Sequence, residues 1–124
     1  MRIFKNKWFA KFAARESISD SRLRKAILDA DAGNIDADYG GGVIKQRIAR
    51  PGEGKSGGYR SVILYRRGDK AFFVYGFSKN ERENIDKAEE KEFKALAKVT
   101  FAFSEAQLAT LLKKGIFTEI KINV

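Results

Sequence analysis

The chain has 124 residues and a net charge of +9, and it contains neither cysteine nor histidine. Those absences exclude a disulfide framework, a thiolate or imidazole metal centre, a cysteine nucleophile and a Ser-His-Asp triad. No apolar run approaches the ~18 residues of a membrane-spanning helix, and the N-terminus lacks the apolar core of a signal peptide, so a cytoplasmic protein with no membrane partner is expected. Ten Phe and one Trp within a 44% hydrophobic composition are enough to fill one core, and a single domain over residues 1–124 is expected.

Residues 2–5 read as a short first strand. Trp8, Phe9, Phe12 and Ala13 then recur at helical spacing and predict a helix over residues 6–15. Its aromatic stripe reads as core in preference to an RNA-stacking platform. A second helix is predicted from Ser21 to Ala32, with Leu23, Ala26, Ile27 and Ala30 on one face and Gly33-Asn34 at its end. The two form a helical hairpin. Asp36 to Gly42 reads as a loop that stops at Gly40-Gly41-Gly42. From Val43 to Arg50 the pattern alternates, with Ile44 and Ile48 on one face and Lys45 and Arg47 on the other.

The stretch from Arg47 to Arg60 holds the only proline, and four of the eleven glycines fall between residues 52 and 58. Such a loop lets the backbone approach a phosphate closely while Lys and Arg supply countercharge. Ser61–Arg66 and Ala71–Phe77 read as strands joined at Gly68-Asp69. The second is apolar on both faces, as a central strand requires. Arg67-Gly68-Asp69 is therefore an ordinary hairpin turn, not an adhesion signal. A third helix is predicted over 84–101. Ser104 and Gln107 form a capping box before Leu108, Leu111 and Leu112, and Gly115 closes that fourth helix. Ile116–Ile122 alternates as a last strand at an edge.

Charge is concentrated in the middle. Residues 43–79 carry nine Lys/Arg against two acids, whereas residues 80–124 carry eight of each. A focused basic patch points to nucleic acid or another polyanion. Gly54-Lys55-Ser56 is followed by two glycines and a strand, not by a helix, which argues against a nucleotide-hydrolysing P-loop. Lys45, Arg47, Arg50, Lys55, Arg60 and Lys79 are the charges expected to converge across neighbouring strands. Crowded cations lower a lysine's proton affinity and suit it to general-base work, and arginines there would stabilise a pentavalent phosphate. A patch that only binds RNA or DNA is equally compatible with the spacing.

The segments Lys7-Trp8-Phe9-Ala10-Lys11-Phe12, Gly40-Gly41-Gly42-Val43-Ile44-Lys45, Arg50-Pro51-Gly52-Glu53-Gly54-Lys55-Ser56-Gly57-Gly58-Tyr59-Arg60 and Tyr75-Gly76-Phe77-Ser78-Lys79-Asn80-Glu81-Arg82 together resemble the RelE/HigB-type toxins of bacterial type II toxin–antitoxin systems. The resemblance covers most of residues 1–103. It implies an α+β fold, in which an N-terminal helical hairpin and C-terminal helices pack on a mostly antiparallel sheet.

It also implies a metal-independent and cofactor-independent endoribonuclease that cuts mRNA in the ribosome, leaves a 2′,3′-cyclic phosphate and arrests growth. The implied partner is a cognate antitoxin, often of the helix-turn-helix type. Arg60 matches the family's phosphate-stabilising arginine, Lys55 the basic loop before it, and Lys79 and Arg82 the basic motif after the last central strand. Asn80 and Asp86 stand where some relatives have an arginine and a catalytic tyrosine. The general acid and base are therefore sought among Lys55, Lys79 and Tyr75. Lys45, Arg47, Arg50 and Arg82 are expected to hold the RNA. The same superfamily includes toxins that act on DNA gyrase without cutting RNA, which is the alternative reading. A plain nucleic-acid-binding module is the third.

Overall fold

The computed structural model describes residues 1–49 and 58–121. The chain runs β1 (Arg2–Asn6), α1 (Lys7–Arg15), α2 (Asp20–Asp31), β2 (Ala37–Gly40), β3 (Val43–Ile48), β4 (Tyr59–Arg66), β5 (Lys70–Ser78), α3 (Lys87–Phe101), α4 (Glu105–Lys113) and β6 (Phe117–Glu119). The strands form one sheet in the order β2-β3-β4-β5-β1-β6. Every pairing is antiparallel except that of β1 with β5, where Ile3 stands opposite Ala71 and Phe4 opposite Phe72. The architecture is α+β, as the resemblance implied.

Alternation along each strand sends side chains to two cores. On one face Phe9, Phe12, Leu23, Ile27, Ile44, Ile48, Ile63 and Phe73 pack beneath α1 and α2. On the other, Phe4, Val43, Val62, Leu64, Phe72 and Phe117 meet Ala97 of α3 and Leu108 of α4. Each large side chain removed from water in this way contributes about 1.5–3 kcal/mol. β1 and β5 feed both cores, so neither face of the sheet is left to solvent at its centre.

The helix starts follow from local capping. Asn6 accepts from the Phe9 N–H at 2.8 Å and donates to the Val74 carbonyl at 3.2 Å, which ties the start of α1 to the β5 backbone. Ser19 caps α2, and reciprocal capping boxes open α3 at Asp86/Glu89 and α4 at Ser104/Gln107. No helix among the described residues is long and apolar enough to cross a membrane.

Three expectations need correction. Residues 37–40, expected to be loop, form edge strand β2, which pairs Ala37 with Lys45 and Asp38 with Ile44. Gly41 and Gly42, at φ 61° and 81°, make the two-residue turn back into β3, so the glycines are a hairpin connection and not a stop. In the aromatic stripe, Phe9, Phe12 and Ala13 are buried but Trp8 is 43% exposed. The last strand ends at Glu119, with Ile120 buried beyond it; Ile122 lies outside the described residues.

Candidate RNA-binding and catalytic site

The site begins at the buried Gln46 of β3. Its side chain donates to the carbonyls of Ala26 and Asn34, at 2.9 and 3.0 Å, and accepts from the Asp36 N–H at 2.8 Å. One amide thus clamps the segment between α2 and β2 and fixes where Asp36 stands. Gln46 faces α2, so its neighbours Lys45 and Arg47 face the other way.

The Asp36 carboxylate meets three cations. Arg47 Nε lies 3.0 Å from Oδ1, Lys45 Nζ 3.6 Å from Oδ2, and Arg60 Nε 3.7 Å from Oδ2. Arg60 is the direct cross-strand partner of Arg47. Its side chain is only 9% exposed. Among the described residues its Nη1 is buried without a hydrogen-bond partner, as is Asp36 Oδ2. Three cations on one carboxylate leave a local excess of positive charge, and a buried guanidinium N–H without an acceptor is costly unless a further anion arrives. A cavity of about 330 Å³ opens beside this cluster, lined by Asn34, Ile35, Asp36, Gln46 and Arg47.

Across β4, Arg60 stands opposite Phe77 of β5. Beyond it lies an aromatic end to the same region. The Arg82 Cζ is 5.5 Å from the Phe77 ring and 6.0 Å from the Tyr75 ring. Arg82 Nη1 donates to the Tyr75 hydroxyl at 3.3 Å, and the guanidinium makes a two-point bridge to Glu89 at 2.6 and 3.1 Å. The hydrogen bond to Glu89, reinforced by Tyr75, raises the pKa of Arg82, and the same bond lowers that of Glu89. Tyr75 in turn packs against Trp8, with ring centroids 4.7 Å apart.

The sequence-predicted residues therefore fall into separate groups. Lys45, Arg47 and Arg60 converge on Asp36. Tyr75 and Arg82 sit together on the far side of Phe77, with Arg82 already held by Glu89. Lys79 is exposed just past β5, where its N–H reaches the Gly58 carbonyl at 3.4 Å. Arg50, Lys55 and the stretch from Pro51 to Gly57 lie outside the described residues. Asp86 is the N-cap of α3. Asp36, Gln46 and Glu89 escaped the sequence reading. Asp36 had a visible signal, since it is one of only two acids in residues 32–42, directly before the most basic third of the chain.

The family model described as the RelE toxin of the RelE/RelB toxin–antitoxin system matches residues 1–120. No curated protein matches the chain. The matched range contains all ten elements, from β1 to β6, and both groups of site residues. The chain belongs to the RelE toxin family: it is the toxin of a toxin–antitoxin system, with an antitoxin as its partner.

Proposed function

We propose that this toxin is a ribosome-dependent mRNA endonuclease built as a single domain, and that Arg60 is the residue that stabilises its transition state. The observation that carries this reading is the buried Arg60 Nη1, without an acceptor among the described residues, in a cluster where the described cations outnumber the acids. A phosphate oxygen is the acceptor such a group suits.

In the reaction the ribose 2′-oxygen attacks the adjacent phosphorus. The new P–O2′ bond forms as the P–O5′ bond breaks, and a 2′,3′-cyclic phosphate is left. A base takes the 2′-hydroxyl proton and an acid supplies one to the departing 5′-oxygen. Negative charge gathers on the equatorial oxygens between those events, and Arg60 meets it. Removing one such donor commonly costs on the order of 100-fold or more in rate. Lys45, Arg47 and Arg50 hold the RNA backbone. Arg82, fixed by Glu89, orients Tyr75 and adds charge beside the strand. Lys55, Lys79 and Tyr75 are the groups for proton transfer. No step requires a metal or a cofactor. The antitoxin, of the helix-turn-helix type, neutralises the toxin in the cytoplasm.

The test is induction of wild type, Arg60→Ala and Arg60→Lys in bacteria, with mRNA 5′-ends mapped. New ends inside coding regions with the wild type, lost in Arg60→Ala and not restored by Arg60→Lys, support the assignment, because lysine keeps the charge but not the paired donors. A folded Arg60→Ala protein that still cuts removes Arg60 from the mechanism. Growth arrest without new ends replaces the nuclease reading with action on DNA gyrase.

A further inference from the structure

Trp8 is the second residue of α1 and the chain's only tryptophan. Helical spacing groups it with Phe9, Phe12 and Ala13, yet those three are buried while 43% of Trp8 faces solvent. That leaves roughly 100 Å² of aromatic surface exposed.

The ring is nonetheless held in place. It stacks on Phe12 at 5.3 Å between centroids and an interplanar angle of 16°, and it leans on Tyr75 at 4.7 Å. The tie from Asn6 to the Val74 carbonyl anchors the turn that carries it. Trp8 thus presents a braced aromatic surface at the end of the sheet.

Its surroundings are cationic. Lys7 precedes it and Lys11 stands three residues on along α1, both exposed, and Arg82 lies over the Tyr75 ring. From the indole, contacts of 4.7 Å to Tyr75 and 6.0 Å from Tyr75 to Phe77 lead to the cross-strand neighbour Arg60. An aromatic face beside exposed lysines, linked through Tyr75 and Phe77 to Arg60, fits single-stranded nucleic acid, whose bases stack while its backbone meets the charge.

We propose that Trp8 is a stacking platform for a base of single-stranded RNA next to the bond held at Arg60. The proposal rests on the endonuclease reading for its substrate. It adds a positioning residue on α1, outside the cation cluster.

The single tryptophan supplies a direct measurement. A short oligoribonucleotide, 2′-O-methylated so that it cannot be cut, is titrated into the full chain while indole fluorescence and RNA anisotropy are recorded together. Saturable quenching is expected, diminished by an abasic substitution at one position of the oligonucleotide. Trp8→Ala weakens binding about tenfold or more, whereas Trp8→Phe stays within about threefold of wild type. Circular dichroism confirms that both variants fold.

RNA binding without a change in fluorescence, or equal affinity of folded Trp8→Ala, overturns the platform. So does a complete lack of binding to the oligoribonucleotide. Fluorescence that responds to the cognate antitoxin and not to RNA assigns the ring to a protein interface and likewise overturns it. Mapped cleavage in cells separates the two readings. A wild type that cuts mRNA while Trp8→Ala cuts as fast and with the same flanking-base preference keeps the nuclease and removes the platform. A wild type that quenches on RNA but leaves cellular mRNA intact keeps the platform and removes the nuclease.

Discussion

Arg60 Nε stands 3.7 Å from Asp36 Oδ2, and the Asp36 oxygen and the Arg60 Nη1 are both buried without a hydrogen-bond partner among the described residues. The two groups attract each other without satisfying each other. Asp36 therefore fixes Arg47, which donates to its Oδ1 at 3.0 Å, and balances the charge of Lys45 and Arg60 from farther away. Neutralising it with Asp36→Asn is expected to destabilise the fold by about 1–3 kcal/mol, because three cations are left facing one another. Part of that loss returns at high salt, where the repulsion is screened. The same substitution tightens RNA binding, with a salt slope steeper by about 0.7 per phosphate gained. Urea melts at low and high salt, and binding across a salt series, check both outcomes.

Glu89 holds Arg82 through two hydrogen bonds and also accepts from the Asp86 N–H at 2.9 Å to complete the α3 capping box. Glu89→Gln keeps an acceptor for the cap and removes the charge partner. Both side chains are roughly 30% exposed, so the expected cost is only about 1 kcal/mol. The freed guanidinium then strengthens RNA binding. A thermal melt and an anisotropy titration of the same variant measure the two effects separately.

A Cβ placed on Gly76 would stand 2.6 Å from Phe12 Cε2. Phe12 is buried and stacked beneath Trp8, so it has little room to retreat. Gly76→Ala is expected to destabilise by about 1–3 kcal/mol through overpacking. Adding Phe12→Leu, which trims the ring, should recover part of the loss. Chemical denaturation of the single and double variants gives the coupling.

Burial, together with a hydrogen bond to Asp31 at 2.5 Å, pushes the Tyr65 hydroxyl up to about 12 from its ordinary 10.0. The protonated phenol is the form that folding favours. Its contribution is complete below pH 10.0 and disappears as pH rises toward about 12. Tyr65→Phe removes that dependence. Wild type should be more stable than the variant at neutral pH, and the gap should close between about pH 10 and 12. Urea melts of both proteins across that range measure the difference, which cancels the lysines that titrate in the same window.

Much of the fold is legible in the sequence because its signals are local. The Ser104/Gln107 box, the Leu23-Ala26-Ile27-Ala30 stripe and the apolar run of β5 each name their element without reference to any other. β2 is not legible in this way. Its four residues read as polar loop, and they become a strand only because Gly41 and Gly42 fold them back on β3. The site divides similarly. Lys45, Arg47 and Arg60 could be assigned to one face by counting along strands. The anion among them could not, since Asp36 reaches them through the Gln46 clamp, a contact between side chain and backbone that has no period. Trp8 belongs to a correct helical stripe, but the space beneath α1 holds only three of its four members.

The parallel pairing of β1 with β5 has a consequence for how the molecule is made. Residues 2–5 are synthesised well before their partners, residues 70–73, and β6 closes on their other edge later still. The hairpins β2–β3 and β4–β5 turn on two and three residues and can form as they emerge. β1 must wait, then close a long loop to dock beside β5, a step whose entropic cost slows folding. Residues 70–73 must leave the ribosome before Ile3 and Phe4 find their cores, so the nascent chain cannot acquire its finished sheet in the order in which it is translated.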